Sequence, residues 1–405
     1  MAIRTTTTTP SAGGAAWSRL RAPAAGLLAL GLLAGCGSDD ASTDATATGS
    51  VSAEPSGGQG GGPGGGIDGN CEASGASPSA APSTAVPSNA DTQEVSNAVT
   101  ATQAFLDTLD STDGVVFDHT DLDGKRCSWS NFPDGLFDGR QGARLGDLTE
   151  EQRTAAMTAV QSVMAAAGYT YVQEMMAGDD TLAGDGSGPV ANASFGSDNY
   201  HLALYGQPST DSSWTLQFGG HHLAVHVSVG GDTLSVSPYF KGTQPVSYEA
   251  NGSTVEPMGG TADQVFGVFE SLPEDQLSAA ELSGSYDDLV MGPGNDTGFP
   301  ESEGLAYGDL DSATQKLVRG AIEAYVADYA PELSQPLVDL YESQLDQTVV
   351  AWSGSIDRDS NAYLRIDGPR VWIEWVNTDN PGASGIHYHT VYRDKLLDYG
   401  TGTGQ

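Results

Sequence analysis

The chain has 405 residues, with 16 Lys or Arg against 53 Asp or Glu and a formal net charge of −37. Nucleic-acid phosphates and anionic lipid headgroups are bound by clustered Lys and Arg, so this balance excludes a nucleic-acid partner and argues against adhesion to an anionic surface. It fits a domain held off a negatively charged envelope, and equally well a protein kept in solution at high external salt.

Residues 1–35 read as a lipoprotein signal peptide. Arg4, Arg19 and Arg21 form a positive n-region, and Ala22 to Leu33 make an apolar stretch shorter than the roughly 20 residues that span a bilayer. The stretch ends in Leu33-Ala34-Gly35-Cys36, which has the form of a lipobox: small residues for the peptidase cleft, then a thiol to carry a diacylglycerol thioether. Two acyl chains anchor stably where one holds marginally. The expectation is therefore an exported protein, lipid-anchored through Cys36 to the outer face of a bacterial cell membrane. Cleavage removes three arginines and leaves 13 basic against 53 acidic residues, about −40.

Residues 36–91 are rich in Gly, Ser, Ala and Pro, including Gly60-Gly61-Gly62-Pro63-Gly64-Gly65-Gly66. Such a segment cannot bury enough apolar surface to offset its ordering entropy and reads as a flexible stalk. It contains Cys71, which with Cys127 is expected to form a disulfide in an oxidising space, stabilising the fold by about 4 kcal/mol in the chain-entropy model. A single folded domain is expected over 92–400.

Within it, Val95, Ala98, Val99, Phe105, Leu106 and Leu109 follow helical spacing. Thr149-Glu150-Glu151-Gln152 is a capping box that predicts a helix to about Ala167, stopped by Gly168. Ser312 to Gln315 opens another, with shorter helices expected at 262–271, 274–282 and 333–346. Strand signals run from Tyr200 to Phe240, with a hairpin turn at Gly230-Gly231-Asp232, and then over 348–353, 362–366, 371–376 and 386–392. The fold class expected is α+β, mainly an antiparallel sheet built from hairpins with packed flanking helices. No internal repeat is evident.

Trp129-Ser130-Asn131-Phe132-Pro133, Arg144-Leu145-Gly146-Asp147-Leu148, Gly220-His221-His222-Leu223, Tyr363 to Pro369 and His387 to Asp394 occur in that order. Together they resemble the bacterial domain-of-unknown-function 3500 family over about residues 92–400. Tyr392 stands where the family more often has Trp, and Lys395 where it more often has Pro. The resemblance implies no activity and no catalytic residue, so the chemistry must come from the residues themselves.

Histidine is the informative residue type. On a strand, His387 and His389 project from one face about 6.5–7 Å apart, close enough for two imidazoles to converge on one ion. Val391 and Arg393 continue that face, so Arg393 could instead grip an anionic ligand. His221 and His222 must point to opposite faces of a regular strand unless Gly219-Gly220 supplies a bulge. The functional reading brings one or both of them to His387 and His389, with Glu374 as a fourth ligand or supporting carboxylate. Such a site would take zinc or copper, and an open position would permit activation of water. The alternatives are a metal-free module for an anionic or carbohydrate ligand, or histidines serving the fold alone. Asp118, Asp121, Asp123 and Gly124 lack the closing carboxylate of a calcium loop and read as turn formers, as do Asp179, Asp180 and Asp185. No serine-nucleophile elbow, phosphate loop or dinucleotide fingerprint is present.

Overall fold

A computed structural model of the chain describes residues 92–119, 127–183, 193–296, 298–379 and 385–400. Cys36, the stalk with Cys71, and Asp121, Asp123, Gly124 and Asp185 lie outside the described residues. Cys127 is buried beside Trp129, Ala224 and Phe240, and its pairing with Cys71 stays an expectation.

The described residues form an α+β fold with seven α-helices and a sheet of 12 strands. The path across the sheet runs Val116–Phe117, His201–Tyr205, Trp214–Gly220, Leu223–Gly230, Tyr239–Thr243, Ile386–Asp394, Val371–Asp379, Ala362–Asp367, Val349–Gly354 and Leu305–Ala306. Ala143–Arg144 pairs beside the 201–205 strand and Thr233–Ser235 beside the 223–230 strand. Among the named strands of the described residues the pairing of Val116–Phe117 with His201–Tyr205 is parallel and the others are antiparallel. The expected strands are present, and the 230–233 turn closes its hairpin as read.

Two helix expectations need correction. Thr149 and Gln152 do form a reciprocal capping box, but the helix ends at Ser162 and a second, Ala166–Leu182, follows it. Gly168 lies inside the second helix and does not stop the first. A Cβ at Gly168 would come within 2.0 Å of the Asp328 carbonyl oxygen, so glycine is there for close backbone approach. The helix Ser312–Val326 is capped by Asp311, whose carboxylate accepts from the Ala313 and Thr314 amides.

The architecture also contains a repeat that sequence inspection does not reveal. Ala143–Arg144 leads into a 3-10 turn at Leu145–Asp147, two helices and the strands 201–205, 214–220, 223–230 and 239–243. Leu305–Ala306 leads into a 3-10 turn at Tyr307–Asp309, two helices and the strands 349–354, 362–367, 371–379 and 386–394. The two sets meet in the middle of the sheet, where Tyr239–Thr243 pairs with Ile386–Asp394. Equivalent bonds recur: Leu145 N donates to Tyr200 O and Tyr307 N to Thr348 O, each at 2.8 Å. At the helix breaks the halves cross, Ala165 N donating to Asp328 O and Ala330 N to Val163 O. Little sequence survives beyond Gly146-Asp147-Leu148 and Gly308-Asp309-Leu310, which is why the repeat escapes a residue-by-residue reading.

The two faces of the central strands differ. Tyr388, Thr390 and Tyr392 face the main core, where Tyr325 and Tyr341 from the helices bond Thr390 and Tyr392. His387, His389, Val391 and Arg393 face the other way, beneath the segments around residues 127–131, 288–296 and 396–400.

Candidate metal centre

Three of the four predicted histidines meet. His387 Nε2 lies 3.1 Å from His389 Nε2, and His389 Nε2 lies 3.2 Å from His222 Nε2. All three residues are buried, and each offers a ligand atom within 4.8 Å of the others. Tetrahedral ligation at roughly 2.0–2.1 Å places ligand nitrogens about 3.3 Å apart, so little rearrangement separates these rings from a shared ion.

Hydrogen bonding alone does not account for the convergence. His389 Nδ1 lies 2.9 Å from Asp288 Oδ1; donating there leaves Nε2 as a bare lone pair. That one lone pair is approached at once by His387 Nε2, His222 Nε2 and, at 3.3 Å, Asn131 Nδ2. A cation at the centre satisfies all three rings. The Asp288–His389 contact is also the carboxylate–histidine pairing that fixes tautomer and raises basicity in metal ligands.

His222 reaches the site because it is a turn residue. Gly220 pairs with Leu223, so His221 and His222 are the two central residues of a hairpin loop. His222 has φ of 58°, a left-handed conformation that histidine tolerates better than most side chains but that is usually held in place by its surroundings. Here its N–H donates to Asn131 O and its carbonyl accepts from Gly242 N. Gly219 and Gly220 pair regularly with Ala224 and Leu223 and supply no bulge; a Cβ on Gly220 would lie 2.7 Å from the Tyr200 ring. His221 is therefore corrected from ligand to neighbour. Its ring stacks on His222 with centroids 3.9 Å apart, while its Nδ1 faces Asp179 Oδ1 at 2.7 Å.

Glu374 and Arg393 also have roles other than ligation. The Glu374 carboxylate accepts from the amides of Val290 and Met291 at 2.9 and 2.7 Å and from the Tyr363 hydroxyl. It pins the segment that carries Asp288, and burial pushes its carboxyl above the usual range. Arg393 is fully buried and spends its donors on Asp398, Asp296 and the carbonyls of Met291 and Asn295. Burial opposes its charge, but Asp398 and Asp296 more than compensate and hold it protonated. Arg393 is thus a clamp within the fold, and the expectation that it grips an external anion is overturned.

Sequence reasoning missed Asp288, Asn131 and Arg140. Asn131 lies within the Trp129–Pro133 motif and could have been singled out there; Asp288 sits in a loop without pattern. The Arg140 guanidinium binds Asp134 at 2.6 Å and donates to the carbonyls of Ser130, Phe132 and Gly220. It ties the segment holding Asn131 to the residue before the His221–His222 turn. Arg140→Lys keeps the charge but loses the planar fork. The expected outcome is metal binding weakened by about 10-fold or more, as for other outer-shell changes, read by competition with a chromophoric chelator. Wild-type affinity in this variant would refute the positioning role.

The site disfavours protonation. Burial, with His389 and His221 adding, drives His387 down to about 3. Burial, with His221, His389 and His387 adding, holds His222 well below its ordinary value. Burial alone would raise the Asp288 carboxyl, but the adjoining His389 brings it below its ordinary value. An unfolded histidine binds its proton near pH 6.5, so between there and about 3 these two rings hold more protons in the unfolded chain than in the folded one. Asp398, whose carboxyl burial pushes up to about 6, works in the opposite sense. The histidines' contribution to the stability of metal-free protein should therefore fall as pH drops from about 6.5 toward 3, by up to about 1.4 kcal/mol per pH unit for His387, a part isolated by comparing wild type with a His387 variant. Urea midpoints between pH 7 and 4.5 test this, and His387→Gln should flatten the slope.

Other histidines stand apart. His201 Nε2 faces Asp134 at 2.8 Å and His226 Nδ1 faces the Pro238 carbonyl at 2.7 Å. A small pocket lined by Trp129, Arg140, Gln217 and His201 adjoins the region but includes none of the three converging rings. Asp179 and Asp180, expected to form turns, instead lie in the helix Ala166–Leu182, and their carboxylates accept from the Gly196 and Ser197 amides of a segment distant in the chain.

Comparison with known proteins yields one partial and one extensive match. Over 150 residues the chain is 28% identical to "Transcription factor gaf1" of Schizosaccharomyces pombe, covering 37% of this chain and 16% of that protein. The chain spans less than two thirds of that relative, and the likeness carries no activity across. No solved structure matches. The family model described as "Protein of unknown function (DUF3500)" matches residues 91–401, which include all of the described fold, and the chain belongs to that family.

Proposed function

We propose that this domain binds a transition metal, zinc or copper, through Nε2 of His222, His387 and His389. The observation that carries the reading is the approach of two imidazole nitrogens and an amide nitrogen to the single lone pair of His389. Three neutral imidazoles suit zinc and copper better than magnesium or calcium, which prefer oxygen ligands. Three protein ligands also leave a fourth position, as in catalytic rather than structural zinc sites. Metal handling and metal-dependent hydrolysis or oxidation are both compatible with that arrangement. The alternative of an anionic or carbohydrate ligand held by Arg393 loses its main support, since that guanidinium is committed to Asp296 and Asp398.

In the same proposal the protein is exported and tethered through lipidated Cys36 to the outer face of a bacterial cell membrane, with residues 36–91 as a stalk. The sequence pattern at 33–36 supports this, and no helix among the described residues is long and apolar enough to cross a membrane. The deciding experiment is elemental analysis of the full chain purified without chelator. About one equivalent of zinc or copper is expected; less than about a tenth of an equivalent, with none taken up on dialysis against either ion, would end the metal reading. Metabolic labelling with a radioactive fatty acid, lost in Cys36→Ser, tests the anchor.

A further inference from the structure

We propose that the fourth coordination position of this centre takes a small monovalent anion, and that the Asn131 amide is the donor that receives it. The inference rests on the metal reading above and adds the chemical class of the exchangeable ligand.

The argument begins with Asn131 Nδ2. Its recorded partner at the site is His389 Nε2 at 3.3 Å. An imidazole nitrogen that gives its lone pair to a metal can no longer accept a hydrogen bond. Metal binding therefore takes away that acceptor, and Asn131 is 6% exposed, so water does not readily replace it. A buried donor left in that state costs about 1–3 kcal/mol. An acceptor atom on the open position of the same ion would sit within reach of the amide and remove that penalty.

Charge identifies the acceptor. A divalent ion held by three neutral imidazoles keeps its full charge, and Asp288 is the one carboxylate in contact with the triad among the described residues. One unit of positive charge remains uncompensated in a desolvated place, which favours an anion over a neutral ligand. Size narrows the class further. The three rings are only 3%, 8% and 5% exposed, so a ligand reaching the ion has to enter a largely closed place, which favours a small one. Hydroxide and small monovalent anions such as azide meet these conditions of charge and hydrogen bonding. The Asn131 main chain is fixed independently, because its carbonyl accepts from His222 N and its neighbours' carbonyls are held by Arg140. The donor is thus fixed to the same turn that delivers a ligand.

The test uses the full chain stripped of metal and reloaded with cobalt(II), whose visible spectrum reports coordination, and azide as the anion probe. The expected result is one cobalt per chain and a saturable spectral change on azide addition. In Asn131→Leu, which removes the donor without adding a ligand, cobalt is retained. Azide binding is then weakened by about tenfold or more, the loss expected for one hydrogen bond to a charged acceptor. Failure of the wild-type chain to retain cobalt would overturn the metal reading and this inference with it. Cobalt retained with a spectrum indifferent to azide would overturn the anion site alone. Unchanged azide affinity in Asn131→Leu would remove Asn131 from the role assigned to it.

Discussion

Replacing His389 with alanine should leave the protein without bound transition metal, while His221→Gln should leave metal content at the wild-type level. His389 is the hub of the triad: its Nε2 faces both partner rings, and its Nδ1 is oriented by Asp288. Removing it takes away one ligand and leaves the other two without their common neighbour. The loss of affinity should exceed the roughly 10–100-fold typical of an outer-shell change. His222→Ala and His387→Ala should behave alike. His221→Gln is the informative control, because the glutamine amide can still donate to Asp179 while the ring next to the site is lost. Metal per chain, measured on proteins prepared in parallel without chelator, reads the outcome. Metal lost in His221→Gln and kept in His389→Ala would reverse the assignment.

The second large effect is on stability. Arg393→Met should destabilise the fold by about 3–5 kcal/mol, the range for breaking a buried ion pair by removing one partner. Asp296 and Asp398 would be left buried without their cation, and burial already pushes the Asp398 carboxyl up to about 6 with Arg393 beside it. At roughly 2 cal/mol/K of unfolding entropy per residue, that loss lowers the melting temperature of a domain of about 300 residues by about 5–8 °C. The carbonyls of Met291 and Asn295 would lose their donor too, loosening the segment that carries Asp288. An arginine kept for an external anion would act differently, its removal moving stability by no more than about 0.5 kcal/mol. Denaturant unfolding of the metal-free variant distinguishes the two, and a midpoint at the wild-type value would restore the ligand-gripping role.

The features legible in the sequence were those with a short period. Alternation around Val225, Val227 and Val229, turn chemistry at Gly230 to Asp232, and the His387–His389 spacing each involve neighbours in the chain, and each is present in the fold. The capping box at Thr149 was legible for the same reason. What escaped depends on contacts distant in sequence. Gly168 reads as a helix stop until the Asp328 backbone is seen against it. The strand alternation applied to His221 and His222 fails because the chain reverses there, and paired histidines are not a standard turn signal. Arg393 projects from the histidine face as expected, yet the two acceptor-bearing segments that close over it, at 291–296 and at Asp398, are invisible from its own strand. The candidate site was legible as a residue type and a spacing, and its supporting shell was not.

The seam between the two repeated sets of elements has a further consequence. His222 belongs to the first set, and His387 and His389 lie on the last strand of the second. An ion at that point would act as a removable cross-link between parts of the chain some 165 residues apart, tying together two halves that otherwise meet through packing and strand pairing. In the chain-entropy treatment of cross-links, a bridge spanning a loop of that length restricts the unfolded chain by about 5 kcal/mol if it persists there. If the ion leaves on unfolding, its binding energy contributes to the folded state instead. By either route, metal occupancy would set how firmly the two halves stay joined.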